Sequence, residues 1–198
     1  NIKAHYEHNC IDGNCDPYDR VGGVKVRNYR GEWMELFRYT TPFGVECEDN
    51  VDVTDFSSVL QGLVEFELYF ESWDGSGYEP TLTFEMTKGT PDYAYTNVDE
   101  IWFDIYPFGD YANQQPVPEV DYIFTENTEA AKLKLVTSGH NWSSGSNNTN
   151  NTGNAAEFYE ATHNIKVNGT KVFDQHLWRQ CNPNPAGCQP QNGTWTYH

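Results

Sequence analysis

Three carboxylates stand where acid–base chemistry could be done: Asp19, Glu71 and Glu157. Asp19 comes at the end of Cys10-Ile11-Asp12-Gly13-Asn14-Cys15-Asp16-Pro17-Tyr18-Asp19-Arg20. Glu71 precedes Trp73 by two residues, and Glu157 lies in Ala155-Ala156-Glu157-Phe158-Tyr159. One carboxylate held beside a water acts as general base, while another, its pKa raised by burial, acts as acid, so such groups can hydrolyse an unactivated bond. Cys10 and Cys15, flanking Asp12-Gly13-Asn14, read as a tight disulfide-closed turn, because Gly and Asn tolerate the positive φ it needs. Such a loop fixes Asp19 at the mouth of the strand that follows. The same residues also fit a structural turn finished by an Asp19–Arg20 ion pair. The chain carries 29 acidic residues, most of them necessarily solvated, so position alone does not single out a catalytic one. Tyr18, Trp73 and Trp142 can stack on sugar rings or simply pack.

Other chemistries find little support. The histidines, His5, His8, His140, His163, His176 and His198, lack the compact His-x-His or His-Glu-x-x-His spacing of a metal site. Asp12-Gly13-Asn14-Cys15-Asp16 imitates the start of a calcium loop without its later Gly and Glu, and the cysteines account for it better. No Ser or Cys nucleophile motif and no phosphate-binding Gly loop occurs, so no metal or cofactor is expected. A formal charge of −17 repels nucleic-acid phosphate and anionic lipid, and no apolar run approaches the ~18 residues of a membrane helix. Asn141, Asn147, Asn150, Asn168 and Asn192 each begin an Asn-x-Ser/Thr sequon, and with five cysteines they suggest an oxidising secretory route and an extracellular protein. The odd cysteine count leaves one thiol free, intermolecular or paired outside the sequence. Opening at Asn1, with no initiator Met or signal-peptide pattern, suggests a processed or partial product.

The elements that must position these groups are short strands. Ile2 to His8 feeds the stapled loop, and Val21 to Arg27 leaves it. Glu32 to Tyr39 alternates loosely, as a half-buried strand. Thr54 or Asp55 could cap a single helical turn closed by Gly62. Val64 to Trp73 alternates with period two, placing Val64, Phe66, Leu68 and Phe70 on one face and Glu65, Glu67, Tyr69 and Glu71 on the other. Thr81 to Met86 reads as its hairpin partner. Ile101 to Tyr106 and Ala131 to Thr137 read as further strands, and Thr162 to Val167 turns through Asn168-Gly169 into Lys171-Val172-Phe173. The stretch 107–120 is the best linker, dividing a first domain over 1–106 from a second over 121–198. Many short strands with little helical periodicity give an all-β sandwich or jelly-roll class.

The motifs together resemble a family. Cys-x4-Cys-Asp-x-x-Asp-Arg, Gly-Glu-Trp, Arg-Tyr-Thr-Thr-Pro, Asp-Val-Thr-Asp-Phe, Tyr-Phe-Glu-Ser-Trp and Gly-Thr-Pro-Asp-Tyr are similar in order and spacing to the first domain of the peptide-N-glycosidase F family. Asn127-Thr128-Glu129, Ser138-Gly139 and Ala156-Glu157, with His163 beyond, resemble its second domain more loosely. The resemblance implies two antiparallel jelly rolls side by side, in a secreted amidase that cleaves the bond between the innermost N-acetylglucosamine and asparagine of N-glycoproteins without a cofactor. It implies that Asp19 is the essential carboxylate, that Glu157 positions water and sugar, and that Glu71 supports them. Arg20, Tyr18 and Trp73 fall on substrate-binding positions, Tyr18 where the family carries Trp.

The chain also departs from the family. The cysteines that bracket the second-domain glutamate are replaced by Asn154 or Ala155 and Tyr159, and an arginine is absent between Asp74 and Tyr78. Cys47 has no family counterpart. The resemblance pairs Cys181 with a downstream cysteine, either Cys188 or one beyond His198. It also implies strands before Asn1 and after His198, so that the start of the first jelly roll and the end of the second are incomplete here, or are supplied by another segment or partner. The alternative function is a non-catalytic extracellular glycoprotein that uses the same paired jelly rolls for glycan binding or assembly. Copper monooxygenases share the paired fold, but their histidine and methionine ligand sets are not found.

Overall fold

The structure, a computed structural model, describes residues 1–42, 44–72, 77–106, 117–139 and 161–177. These divide into two compact units, the first within Asn1–Phe103 and the second within Asp104–Asn182. The strands among the described residues are β1 (Ile2–Cys10), β2 (Val21–Arg27), β3 (Trp33–Thr40), β4 (Cys47–Asp52), β5 (Phe66–Phe70), β6 (Tyr78–Met86), β7 (Ala161–Val167) and β8 (Thr170–Leu177). Short 3-10 turns occupy Ile11–Gly13 and Thr54–Phe56. All the ladders are antiparallel, and the fold is all-β. No helix among the described residues is long and apolar enough to cross a membrane.

The first unit is built from two three-stranded sheets, ordered β4-β1-β6 and β3-β2-β5. Alternation along β1 buries Ala4, Tyr6, His8 and Cys10 and turns Lys3, His5, Glu7 and Asn9 outward. Ala4 and Tyr6 share one core with Val24 and Val26 of β2 and Met34, Leu36 and Phe37 of β3. That both Leu36 and Phe37 are buried follows from a bulge: the register slips between Val24 and Lys25, so Leu36 is the extra residue. The loose alternation of this segment in the sequence is the trace of that bulge.

The period-two reading of β5 holds: Val64, Phe66 and Leu68 pack against the core, while Glu65 and Glu67 pair with Arg27 and Lys25 on the outer face. The expected hairpin with the next strand does not form. β5 pairs with β2, and β6 pairs along all nine residues with β1 in the opposite sheet. Phe66 and Phe84 still meet, with ring centroids 5.1 Å apart, but through the core rather than along a ladder. The seven residues between the strands, 71–77, are enough chain to cross the roughly 10 Å between packed sheets.

Two further strand expectations fail. Residues 101–106 join no ladder among the described residues; this segment and the residues just before it are held by side chains instead. Asp99 accepts from Arg30, Glu100 accepts the Glu35 backbone N–H at 2.8 Å, and Phe103 lies beneath the Lys25 and Arg38 cations. Ala131 to Thr137 likewise joins no ladder among the described residues, although the Thr137 hydroxyl reaches Gln175 at 3.2 Å. The turn at Thr54–Phe56 has no side-chain cap; the Thr54 hydroxyl accepts the Ile2 N–H instead, fastening the start of β1. Sequence reading also missed β4, which is polar over most of its length. In the second unit, β7 and β8 form the expected hairpin, with Asn168 and Gly169 at φ 50° and 74°.

Gly22 and Gly23 open β2 because two tyrosine rings lie over them. A Cβ on Gly22 would come within 2.3 Å of the Tyr39 ring, and one on Gly23 within 2.7 Å of the Tyr69 hydroxyl. Tyr39 cannot easily swing away, since it is hydrogen-bonded to Tyr6 and stacked on His8. Gly22→Ala is therefore expected to cost about 1–3 kcal/mol, the range for overpacking a filled site, read from the urea unfolding midpoint.

Candidate functional site

β1 delivers Cys10 to the end of the first sheet, where it is disulfide-bonded to Cys15 with the Cα atoms 4.7 Å apart. The staple is as the sequence predicts, but the positive φ values fall on Asp12 and Gly13, at 53° and 71°, while Asn14 stays at −105°. Asp12, with its short polar side chain, tolerates the left-handed region.

The loop beyond is organised by Asp16, which is fully buried. Its Oδ1 accepts the Tyr18 N–H at 2.9 Å, and its Oδ2 accepts the Arg20 Nε–H at 2.6 Å. Its backbone carbonyl accepts the Gly44 N–H at 3.0 Å. The ion pair expected between Arg20 and its neighbour in sequence thus has Asp16 as a partner, four residues back. Thr41 clamps Arg20 from the other side: the Arg20 N–H donates to the Thr41 hydroxyl at 2.7 Å, and the Thr41 N–H donates to the Arg20 carbonyl at 2.8 Å. Tyr78 donates to the same hydroxyl at 3.4 Å. Asp19 lies between these fixed points and is itself mostly buried.

Glu71 stands at the same end of the sheet. Its N–H donates to the Val21 carbonyl at 3.1 Å, one residue beyond the β2–β5 ladder, so it lies across from the residue two places after Asp19. Its side chain is exposed. Tyr18 is 60% exposed, with the Arg20 guanidinium 5.4 Å from its ring centroid. The arrangement offers a held carboxylate, a second carboxylate nearby in the fold, a buried guanidinium and an open aromatic face. Those parts can bind a polar substrate and move a proton.

Trp73, Glu157, Cys181, Cys188, Asn141, Asn147, Asn150 and Asn192 lie outside the described residues. Asn168 is exposed at the β7–β8 turn. Cys47, at the start of β4, is disulfide-bonded and so is not the thiol left over by the odd count.

Sequence reasoning gave no role to Asp16, Thr41 or His8. For Asp16 the available signal was its spacing from Arg20; for Thr41 and His8 only pairing across the fold reveals the role. His8 is 3% exposed, and neither ring nitrogen has a hydrogen-bond partner among the described residues. It is enclosed by Tyr6, Tyr39 and Tyr78. Burial pushes its pKa below the ordinary 6.5, and the negative charge of Glu46 only partly opposes this. The unfolded chain therefore takes up a proton that the native chain refuses. His8's contribution to stability is whole above about pH 6.5 and is lost as pH falls below it. His8→Phe is expected to show a smaller fall in Tm than the parent protein between about pH 7.5 and 5.5, spanning the ordinary His value.

Comparison with known proteins places these observations. Residues 108–198 match the family model described as peptide-N-glycosidase F, C terminal. The chain is 33% identical over 207 residues to the peptide-N(4)-(N-acetyl-beta-D-glucosaminyl)asparagine amidase F of Elizabethkingia miricola, an alignment covering 98% of this chain and 57% of that protein. A crystal structure of a peptide-N(4)-(N-acetyl-beta-D-glucosaminyl)asparagine amidase superposes with a TM-score of 0.71 at 27% identity, over 99% of this chain and 66% of the other. The structure of PNGase F, a glycosylasparaginase from Flavobacterium meningosepticum, gives 0.70 at 28% identity, over 98% and 65%. The chain thus spans somewhat over half the length of the curated relative it matches.

Proposed function

We infer that this chain, which belongs to the peptide-N-glycosidase F family, forms part of a secreted amidase that hydrolyses the asparagine–N-acetylglucosamine amide of N-glycoproteins. The observation that carries the reading is the fixed loop, in which Asp19 is mostly buried between a disulfide and the buried Asp16–Arg20 pair. In this reading Asp19 takes a proton from water as the water oxygen bonds to the asparagine carbonyl carbon. The carbon–nitrogen bond then breaks, the glycosylamine nitrogen leaves carrying a proton, and the asparagine becomes aspartate. Arg20 and Tyr18 hold the sugar and its amide, with Trp73 as a further stacking surface. Glu71 and Glu157 orient water and sugar.

The test is mass spectrometry of an N-glycopeptide incubated with the full-length protein. Release of the glycan with conversion of asparagine to aspartate supports the reading. Retention of the glycan with measurable binding supports the alternative, a non-catalytic glycan-binding glycoprotein; the arginine missing between Asp74 and Tyr78 favours that alternative.

A further inference from the structure

The outer face of the first sheet carries a second group of chemistry-bearing residues, remote in role from the loop. Alternation on β1 puts His5 and Glu7 on one face, and the register with β4 sets Asn50 opposite His5 and Glu48 opposite Glu7. The His5 Nε2 lies 3.0 Å from a Glu7 oxygen and 3.9 Å from a Glu48 oxygen. One ligand atom from each of the three residues lies within 4.8 Å of the other two. Metal–ligand bonds of about 2.0–2.2 Å in a tetrahedral zinc site hold ligand atoms about 3.4 Å apart. The observed separations bracket that spacing, so small side-chain adjustments suffice to close the three groups on one ion.

A separate observation concerns the ring's orientation. The His5 Nδ1 is 3.2 Å from the Asn50 Oδ1. An amide oxygen accepting the Nδ1–H leaves the lone pair on Nε2, the nitrogen that faces both carboxylates, which is the outer-shell device that orients ligating histidines. β1 is paired on both sides, by β4 and β6, so the backbone beneath the group is fixed. The three side chains are 33%, 38% and 71% exposed, leaving room for a water as fourth ligand.

We propose that His5, Glu7 and Glu48 form a surface site for one divalent cation of the zinc class, with Asn50 as the residue that orients the imidazole. The site clips β1 to β4. A neutral imidazole and two carboxylates form a mixed nitrogen and oxygen set that suits zinc better than calcium. The sequence conceals it because Glu48 joins only through strand pairing.

The test is zinc titration of the chelator-stripped full-length protein, by calorimetry and by Tm. The parent protein should bind one equivalent and gain Tm, since a ligand bound to the native state stabilises it. His5→Ala and Glu48→Gln should each weaken binding at least about tenfold and lose the Tm gain, with the metal-free Tm unchanged. His163→Ala, on another strand, should bind zinc as the parent does. No binding by the parent, or equal affinity in His5→Ala, overturns the proposal and leaves His5–Glu7 as a simple surface ion pair. Neither outcome bears on glycan release, because none of these residues belongs to the stapled loop.

Discussion

Asp19→Asn in the full-length protein is expected to lower the rate of glycopeptide conversion by roughly 10²- to 10⁴-fold, the range that a positioned general base contributes, while Tm stays near that of the parent. The two halves of this expectation rest on different observations. The rate falls because an amide in place of the carboxylate cannot accept a proton from the attacking water. Stability holds because Asn keeps the size of Asp and one of its acceptor oxygens, and the surrounding loop is also fixed by the disulfide, the Asp16 acceptor set and the Thr41 clamp. Conversion by Asp19→Asn at the parent rate would remove Asp19 from catalysis while leaving the amidase reading open for Glu71 and Glu157. A matching loss of Tm and rate would instead make Asp19 a structural residue. Glu71→Gln should cost less, because its side chain is exposed and its backbone is tied to the start of β2, through Val21.

How much of this was legible in the sequence depends on whether the signal was local. The Cys10–Cys15 staple, the two faces of β5 and the Asn168-Gly169 hairpin all follow from residues within a few positions of one another, and all three are present. Strand partnership is not local. The alternation of residues 64–73 says which side chains share a face, but nothing in it distinguishes β6 as a ladder partner from β6 as a layer across the core; the length of β1, able to pair all nine residues of β6, decides that. The same limit applied to the site. Asp19 was visible through its loop, whereas Thr41, brought to Arg20 from the far end of β3, acquires a role only once β2 and β3 are paired. Residues 101–106 carried a strand-like apolar pattern, yet Phe103 among them lies against the Lys25 and Arg38 cations, and among the described residues the segment joins no ladder.

Asp16→Ala is expected to be the most damaging single change in the loop, costing about 3–5 kcal/mol, the range for removing one partner of a buried ion pair. Asp16 is fully buried, and its side chain of the pair with Arg20 is 0% exposed against 10% for the arginine, so solvent offers little compensation when the carboxylate is lost. Alanine would leave the guanidinium without that carboxylate in a poorly hydrated place and the Tyr18 N–H without its acceptor. Since most domains are stable by only about 5–15 kcal/mol, the urea midpoint should fall steeply, and glycopeptide conversion should fall with it because Asp19 loses its frame. Asp16→Asn separates the two contributions: it preserves an acceptor for the Tyr18 N–H while removing the charge, so its cost should lie between those of the parent and the alanine variant. Pairing Asp16→Ala with Arg20→Met removes both charges, and replacing a buried pair with apolar groups is often neutral or better. That double variant should recover the part of the stability lost to the uncompensated guanidinium and none of the conversion, because Arg20 is also a substrate contact in the proposed reaction. A cost below about 1 kcal/mol for Asp16→Ala, the scale of an exposed pair, would mean that the disulfide and Thr41 hold the loop without it.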